Sequence, residues 1–126
     1  MNNTEMLKKN YEFKYIFLKG KYISGKYVEI YIKKNNSSKN LLGIAISKKI
    51  AKSVKRNRIK RLIKENYRLL EKDLKVGNSI IILWKKNISI EEAIFKNIEN
   101  DLKSIFKKAN ILQNIGESIN NKAFSN

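Results

Sequence analysis

The chain of 126 residues contains no cysteine, no histidine, five glycines and one tryptophan. Without cysteine, disulfides and thiolate metal sites are excluded. Without histidine there is no imidazole acid–base pair of the kind that metal-independent ribonucleases often use. Asp73 and Asp101 are the two aspartates, and nine glutamates are scattered among them. No segment gathers the converging carboxylates that a two-metal nuclease needs. The glycines are isolated, so there is no glycine-rich phosphate loop. The longest apolar runs, such as Ile80 to Trp84, are far too short to span a bilayer. The opening Met-Asn-Asn-Thr-Glu lacks the basic-then-apolar pattern of a secretory signal, so a cytoplasmic protein is expected. No set of residues for catalysis by this chain alone is evident.

Positive charge is abundant. Lysine and arginine number 28 against 11 acidic residues, a formal net charge of +17. Such a field seeks polyanions, nucleic acid first and anionic membrane second. Part of the excess is compositional: lysine (24), isoleucine (20) and asparagine (17), all with A/T-rich codons, make 61 of the 126 residues. Arginine is more informative. All four arginines, Arg56, Arg58, Arg61 and Arg68, lie within one stretch, where drift toward lysine has not erased them. Their retention points to a need for a forked, bidentate guanidinium. With 42% apolar and 31% charged residues, the chain is expected to form one domain over residues 1–112, followed by a polar, mobile tail over 113–126.

The order of elements follows from periodicity. Residues 1–9 are polar and expected to fray. Asn10 is placed to cap a short helix with Phe13, Ile16 and Phe17 on one stripe, and Gly20 to stop it. Tyr22 to Lys33 changes to a period of two: Val28, Ile30 and Ile32 share one face, and Tyr27, Glu29 and Tyr31 the other. After a turn over residues 34–40, Leu41 to Ser47 reads as a strand forming a hairpin with its predecessor. Residues 48–64 hold nine basic side chains and no acidic one. Ser53 is placed to cap a helix running to about Lys72, whose apolar stripe is Ile59, Leu62, Ile63, Tyr67 and Leu70. Asn57, Lys60, Arg61, Lys64 and Arg68 occupy the other side. Arg56 and Arg58 flank that arc near the helix start, where unpaired N–H groups also favour anions. Ser79 to Trp84 is a short apolar strand. Ser89-Ile90-Glu91-Glu92 reads as a capping box opening a last helix buried through Ile94, Phe95, Ile98, Leu102, Ile105, Phe106 and Ala109. The expected fold is α+β, a two-layer sandwich in the order α-β-β-β-α-β-α. General statistics make its βαβ crossover right-handed.

Lys48-Lys49 followed by Arg56-Asn57-Arg58-Ile59-Lys60-Arg61-Leu62-Ile63 resembles the signature of the bacterial ribonuclease P protein component. Leu7-Lys8-Lys9-Asn10, Phe13, Ile16-Phe17 and Gly20 are similar to that family's opening helix. Gly43 with Ser47-Lys48-Lys49 resembles its third strand, and Ser79 to Leu83 its fourth. The likeness runs from about residue 7 to 109.

The resemblance implies a protein subunit of a ribonucleoprotein endonuclease whose RNA is the catalyst. That enzyme removes the 5′ leader of precursor tRNA with Mg²⁺, held mainly by RNA and substrate, and the resemblance also implies a left-handed βαβ crossover. Partners implied are the catalytic RNA and precursor tRNA, with no membrane and no obligate protein partner. The basic segment offers Lys48, Lys49, Lys52, Arg56, Asn57, Arg58, Lys60, Arg61, Lys64 and Arg68 as RNA contacts. At Lys52 several relatives carry a small or polar residue instead. Phe13, Phe17 and Tyr31 match the family's leader-cleft aromatics. Read alone, an aromatic pair on a short helix more often belongs to a core, whereas Tyr31 points away from the apolar face of its strand. Three other classes compete. A non-catalytic RNA-binding module of ribosome-associated type shares the basic helix. A protein-only nuclease requires catalytic groups not evident here, and a peripheral membrane binder requires an apolar stripe that the sheet already claims.

Overall fold

The structure, a computed structural model, describes residues 1–113. Its elements are β1 (Thr4–Met6), α1 (Asn10–Lys19), β2 (Lys21–Ser24), β3 (Val28–Lys34), β4 (Asn40–Ala45), α2 (Ser53–Leu70), β5 (Asn78–Trp84) and α3 (Phe95–Lys108). Short 3₁₀ turns occupy Glu71–Asp73 and Ile90–Glu92. The fold is α+β, as expected, with one strand more than the sequence pattern gave. Residues 4–6 do not fray: they pair in parallel with β4, Thr4 opposite Asn40 and Met6 opposite Leu42.

The five-stranded sheet has the order β1-β4-β5-β3-β2. The expected hairpin between β3 and β4 is therefore absent. β5 lies between them, antiparallel to β3 and parallel to β4. The physical reason is in β5 itself, where Ile80, Ile81 and Ile82 are all fully buried. Consecutive apolar residues suit a strand covered on both faces, so β5 takes the centre. Parallel β4 and β5 with α2 between them form the βαβ unit. The hairpin that does form joins β2 to β3, with Tyr22 opposite Tyr31.

Helices α2 and α3 pack on one face of the sheet and make the two-layer sandwich. Its core unites Val28, Ile30, Ile32, Leu42, Ile80, Ile82 and Trp84 with Ile59, Ile63 and Tyr67 of α2 and Ile98, Leu102 and Phe106 of α3. Helix α1 lies on the opposite face over a smaller cluster of Leu7, Ile16 and Ile81. Buried Asp101 of α3 ties the β2–β3 turn down by accepting hydrogen bonds from the backbone N–H groups of Lys26 (3.0 Å), Tyr27 (2.6 Å) and Val28 (2.9 Å).

Several helix boundaries differ from those read in the sequence. Lys9, not Asn10, is the N-cap of α1, and its N–H is accepted by the Glu12 carboxylate at 3.3 Å. Gly20 does end the helix: its N–H bonds the Ile16 carbonyl at 2.7 Å, and an added Cβ would sit 2.5 Å from that oxygen. Lys52 rather than Ser53 caps α2, which stops at Leu70 and tightens into the 3₁₀ turn before reaching Lys72. The Ser89 box opens the 3₁₀ turn Ile90–Glu92 and not α3, which starts five residues later than expected, at Phe95. Ile94 and Phe95 consequently lie outside the buried stripe and are exposed. Past α3, Leu112 bridges to Leu74 and the Gln113 N–H bonds the Asp73 carbonyl at 2.6 Å. Apart from Gln113, the tail expected over 113–126 lies outside the described residues.

Candidate RNA interface

The apolar stripe of α2 fixes which way its charges point. Ile59, Ile63, Tyr67 and Leu70 are buried against the sheet and α3, with Leu62 half-buried. Asn66 joins this side unforeseen; its amide donates to the carbonyls of Leu62 (3.1 Å) and Phe95 (3.3 Å). The opposite side presents Asn57, Arg61, Lys64 and Arg68 to solvent, with Lys60 half-buried at its flank. The four arginines divide by their partners. Arg56 donates to the Ala51 carbonyl at 2.7 Å and so ties the helix start to the turn before it. Arg58 reaches the carbonyls of Ala93 (3.2 Å) and Ile90 (3.4 Å), bracing the 3₁₀ turn. Arg68 forms a two-pronged pair with Glu65, Nε to Oε2 at 3.0 Å and Nη2 to Oε1 at 2.7 Å. That guanidinium, chiefly through its hydrogen bonds, holds the Glu65 carboxyl below its ordinary value. Arg61 alone has its guanidinium without a partner among the described residues. It lines a shallow depression with Lys64, Glu65, Arg68 and Met1, so the chain's first residue reaches the cationic front.

The aromatic candidates sit on the other face of the sheet. Phe13 is half-buried and rests on the strand backbone at Gly43, where an added Cβ would come within 2.6 Å of its ring. Glycine at 43 is what allows α1 to lie this close. Phe17 is 38% exposed and meets Tyr31 edge-on with ring centres 5.0 Å apart. Phe13 lies 6.5 Å from Phe17. The three rings are thus contiguous, Phe13 turned toward the small core and Phe17 toward solvent. Tyr22 extends the set, 5.1 Å from Tyr31, with its hydroxyl donating to Glu29 at 2.6 Å. That bond to the carboxylate raises the Tyr22 phenol above its ordinary value. The sequence reading passed over Tyr22, yet the β2–β3 pairing that places it opposite Tyr31 could have been counted through the turn. Tyr27 does not share the face of Tyr31. It precedes β3, stacks on Trp84 at 6.2 Å and packs against the larger core.

The arginines and the aromatic trough are therefore not brought into one pocket. They occupy opposite faces of the sheet, and Lys48, Lys49 and Lys52 lie in residues 46–52, which join β4 to α2. All three lysines are exposed. Lys49 lines a groove of about 550 Å³ with Lys86 and Ser89. Among the described residues no group of three or more carboxylate, imidazole or thiolate side chains could hold a metal ion. No helix among them is long and apolar enough to cross a membrane.

Comparison with known proteins adds a family. Residues 1–110 match the family described as Ribonuclease P. The ribonuclease P protein component of Clostridium botulinum (strain Loch Maree / Type A3) is 42% identical over 106 residues, 83% of this chain and 94% of that one. Its counterpart in Clostridioides difficile (strain 630) is 40% identical over 111 residues, 87% and 96% of the two chains. Among solved structures, the ribonuclease P protein of Thermotoga maritima superposes with a TM-score of 0.74 at 27% identity, covering 82% of this chain and 96% of that one. The Staphylococcus aureus protein gives 0.68 at 29% identity, covering 86% and 97%. With the family model matched over residues 1–110 and relatives about 40% identical along most of the chain, this chain is a member of the ribonuclease P protein component family.

Proposed function

We propose that the chain binds the catalytic RNA of ribonuclease P through the cationic front of α2 and holds the single-stranded 5′ leader of precursor tRNA against Phe17 and Tyr31, assisting Mg²⁺-dependent removal of that leader. The observation that carries the reading is exposed Phe17 standing edge-on to Tyr31, on the sheet face opposite the helix that presents Arg61, Lys64 and Arg68 to solvent. Aromatic faces bind any base, at about 1–3 kcal/mol per stacked base. That tolerance suits a subunit that meets many leader sequences. Arginine forks suit the phosphates of a folded RNA. In this reading Mg²⁺, which supplies an activated water in such hydrolysis, is held mainly by RNA and substrate.

Affinity as a function of leader length tests this reading. Combined with a bacterial ribonuclease P RNA, the protein should favour a precursor with a leader over the mature tRNA by about tenfold, one stacked base or more. Phe17→Ala with Tyr31→Ala should erase the preference. Equal affinities with the unaltered protein would contradict it.

A further inference from the structure

Helix α1 has a second flank. On the side away from Phe13 and Phe17, Tyr11 and Tyr15 stand one helical turn apart, 66% and 55% exposed. They overhang a groove of about 410 Å³ whose floor includes Leu41 and Ser79 and whose outer wall is Lys33, Lys34 and Asn36. The same wall borders a larger depression of about 700 Å³ at the foot of the sheet, into which Lys19, Lys21 and Lys75 also open. The two depressions thus meet at Lys33, Lys34 and Asn36, the residues they share. None of the five lysine ammonium groups has a hydrogen bond or ion pair among the described residues. One carboxylate, Glu12, lines the groove beside α1, and it is engaged by the Lys9 N–H. Lys19 also complements the C-terminal end of α1, but Lys21, Lys33, Lys34 and Lys75 lie on no helix and have no such role.

We infer that the groove beside α1 is a second binding site for single-stranded RNA, separate from the Phe17–Tyr31 trough, with bases stacking on Tyr11 and Tyr15 and phosphates held at Lys33 and Lys34. The inference rests on the RNA-binding reading above. Its chemistry is that of sequence-tolerant strand binding: a cationic groove following the backbone and exposed rings for the bases. Lys9, whose ammonium lies 5.8 Å from the Tyr11 ring centre, leaves the other side of that ring for a base. Scattered exposed aromatics and a lysine-rich composition are each ordinary. Here two tyrosines in step on one helix flank meet unpaired lysines across a groove.

The test uses an oligouridine carrying 4-thiouridine, photocrosslinked to the full-length protein and mapped by mass spectrometry. Crosslinks should appear at Tyr11 or Tyr15 and persist in the Phe17→Ala, Tyr31→Ala variant. In the Phe17→Ala, Tyr31→Ala background, Tyr11→Leu with Tyr15→Leu should weaken oligouridine binding about tenfold, whereas the phenylalanine pair, which keeps the rings, should bind as that background does. Lys33→Ala with Lys34→Ala should make the log K versus log salt slope about 1.4 shallower. Crosslinks confined to the trough, or leucine variants that bind as their background does, would overturn the inference. The ribonuclease P reading fails separately, by absence of stimulation of a bacterial ribonuclease P RNA.

Discussion

Arg58 and Arg61 stand one helical turn apart and carry the same charge, yet they differ in what the fold asks of them. Arg58 holds two carbonyls of the 3₁₀ turn, while Arg61 holds nothing within the described chain. From the sequence, alanine at either position is expected to weaken RNA binding with little change in thermal midpoint. The structure revises this for Arg58: Arg58→Ala should cost about 0.5–1 kcal/mol of stability in urea titrations, and Arg61→Ala close to none. Both should weaken binding to the catalytic RNA. An Arg61 variant that melts early would make that residue structural after all. A harsher effect is expected at Asp101. Its carboxylate accepts three backbone N–H bonds while buried, and an asparagine in its place has one acceptor oxygen to offer. Asp101→Asn should lose about 2–4 kcal/mol in the same titration. A loss within error of zero would mean that the β2–β3 turn holds itself.

At the scale of elements, β1 is the part the sequence concealed. Three residues give no usable alternation, and what holds Thr4 is a partner 63 positions away: its hydroxyl and that of Tyr67 lie 2.8 Å apart inside the protein. Burial raises the Tyr67 phenol above its ordinary value, opposed by its hydrogen bond with Thr4. A raised folded value means that the unfolded chain loses this proton first. The stabilisation is whole below the ordinary tyrosine range, near 10, and drains away as pH rises through the shifted value. Tyr67→Phe should flatten that alkaline decline in thermal melts while costing about 1 kcal/mol at neutral pH. An unchanged alkaline limb would show that other groups set it.

The helices were readable because a period near 3.6 is a local property, and the stripe of α2 lies where the spacing of Ile59, Ile63, Tyr67 and Leu70 put it. Strand partners are not local. Nothing between Lys34 and Leu41 announces that β5, some forty residues on, will enter between β3 and β4. The orientation of Tyr31 was readable from alternation, but its contact with Phe17 depends on how closely α1 lies on Gly43, a distance no spacing encodes. The capping pattern at Ser89 points to a helix start, yet it opens a 3₁₀ turn, which offers the same unpaired N–H groups.

Over the whole molecule, a net charge of +17 sets how it meets RNA. If about five phosphates are neutralised along a single-stranded path, log K should fall against log salt with a slope of about −3.5. Affinity then drops roughly a hundredfold between 50 and 200 mM salt. A slope near zero would remove electrostatics from the account. The arrangement, with the arginine helix on one face and the aromatic trough on the other, suits the proposed place between a folded RNA and a loose strand. The most direct test of that role is cleavage of a 5′-leader precursor tRNA at low Mg²⁺ in four mixtures: neither component, this protein, a bacterial ribonuclease P RNA, and both. The account predicts strong cleavage only with both. Cleavage by the protein alone, or no gain when it joins the RNA, would contradict it.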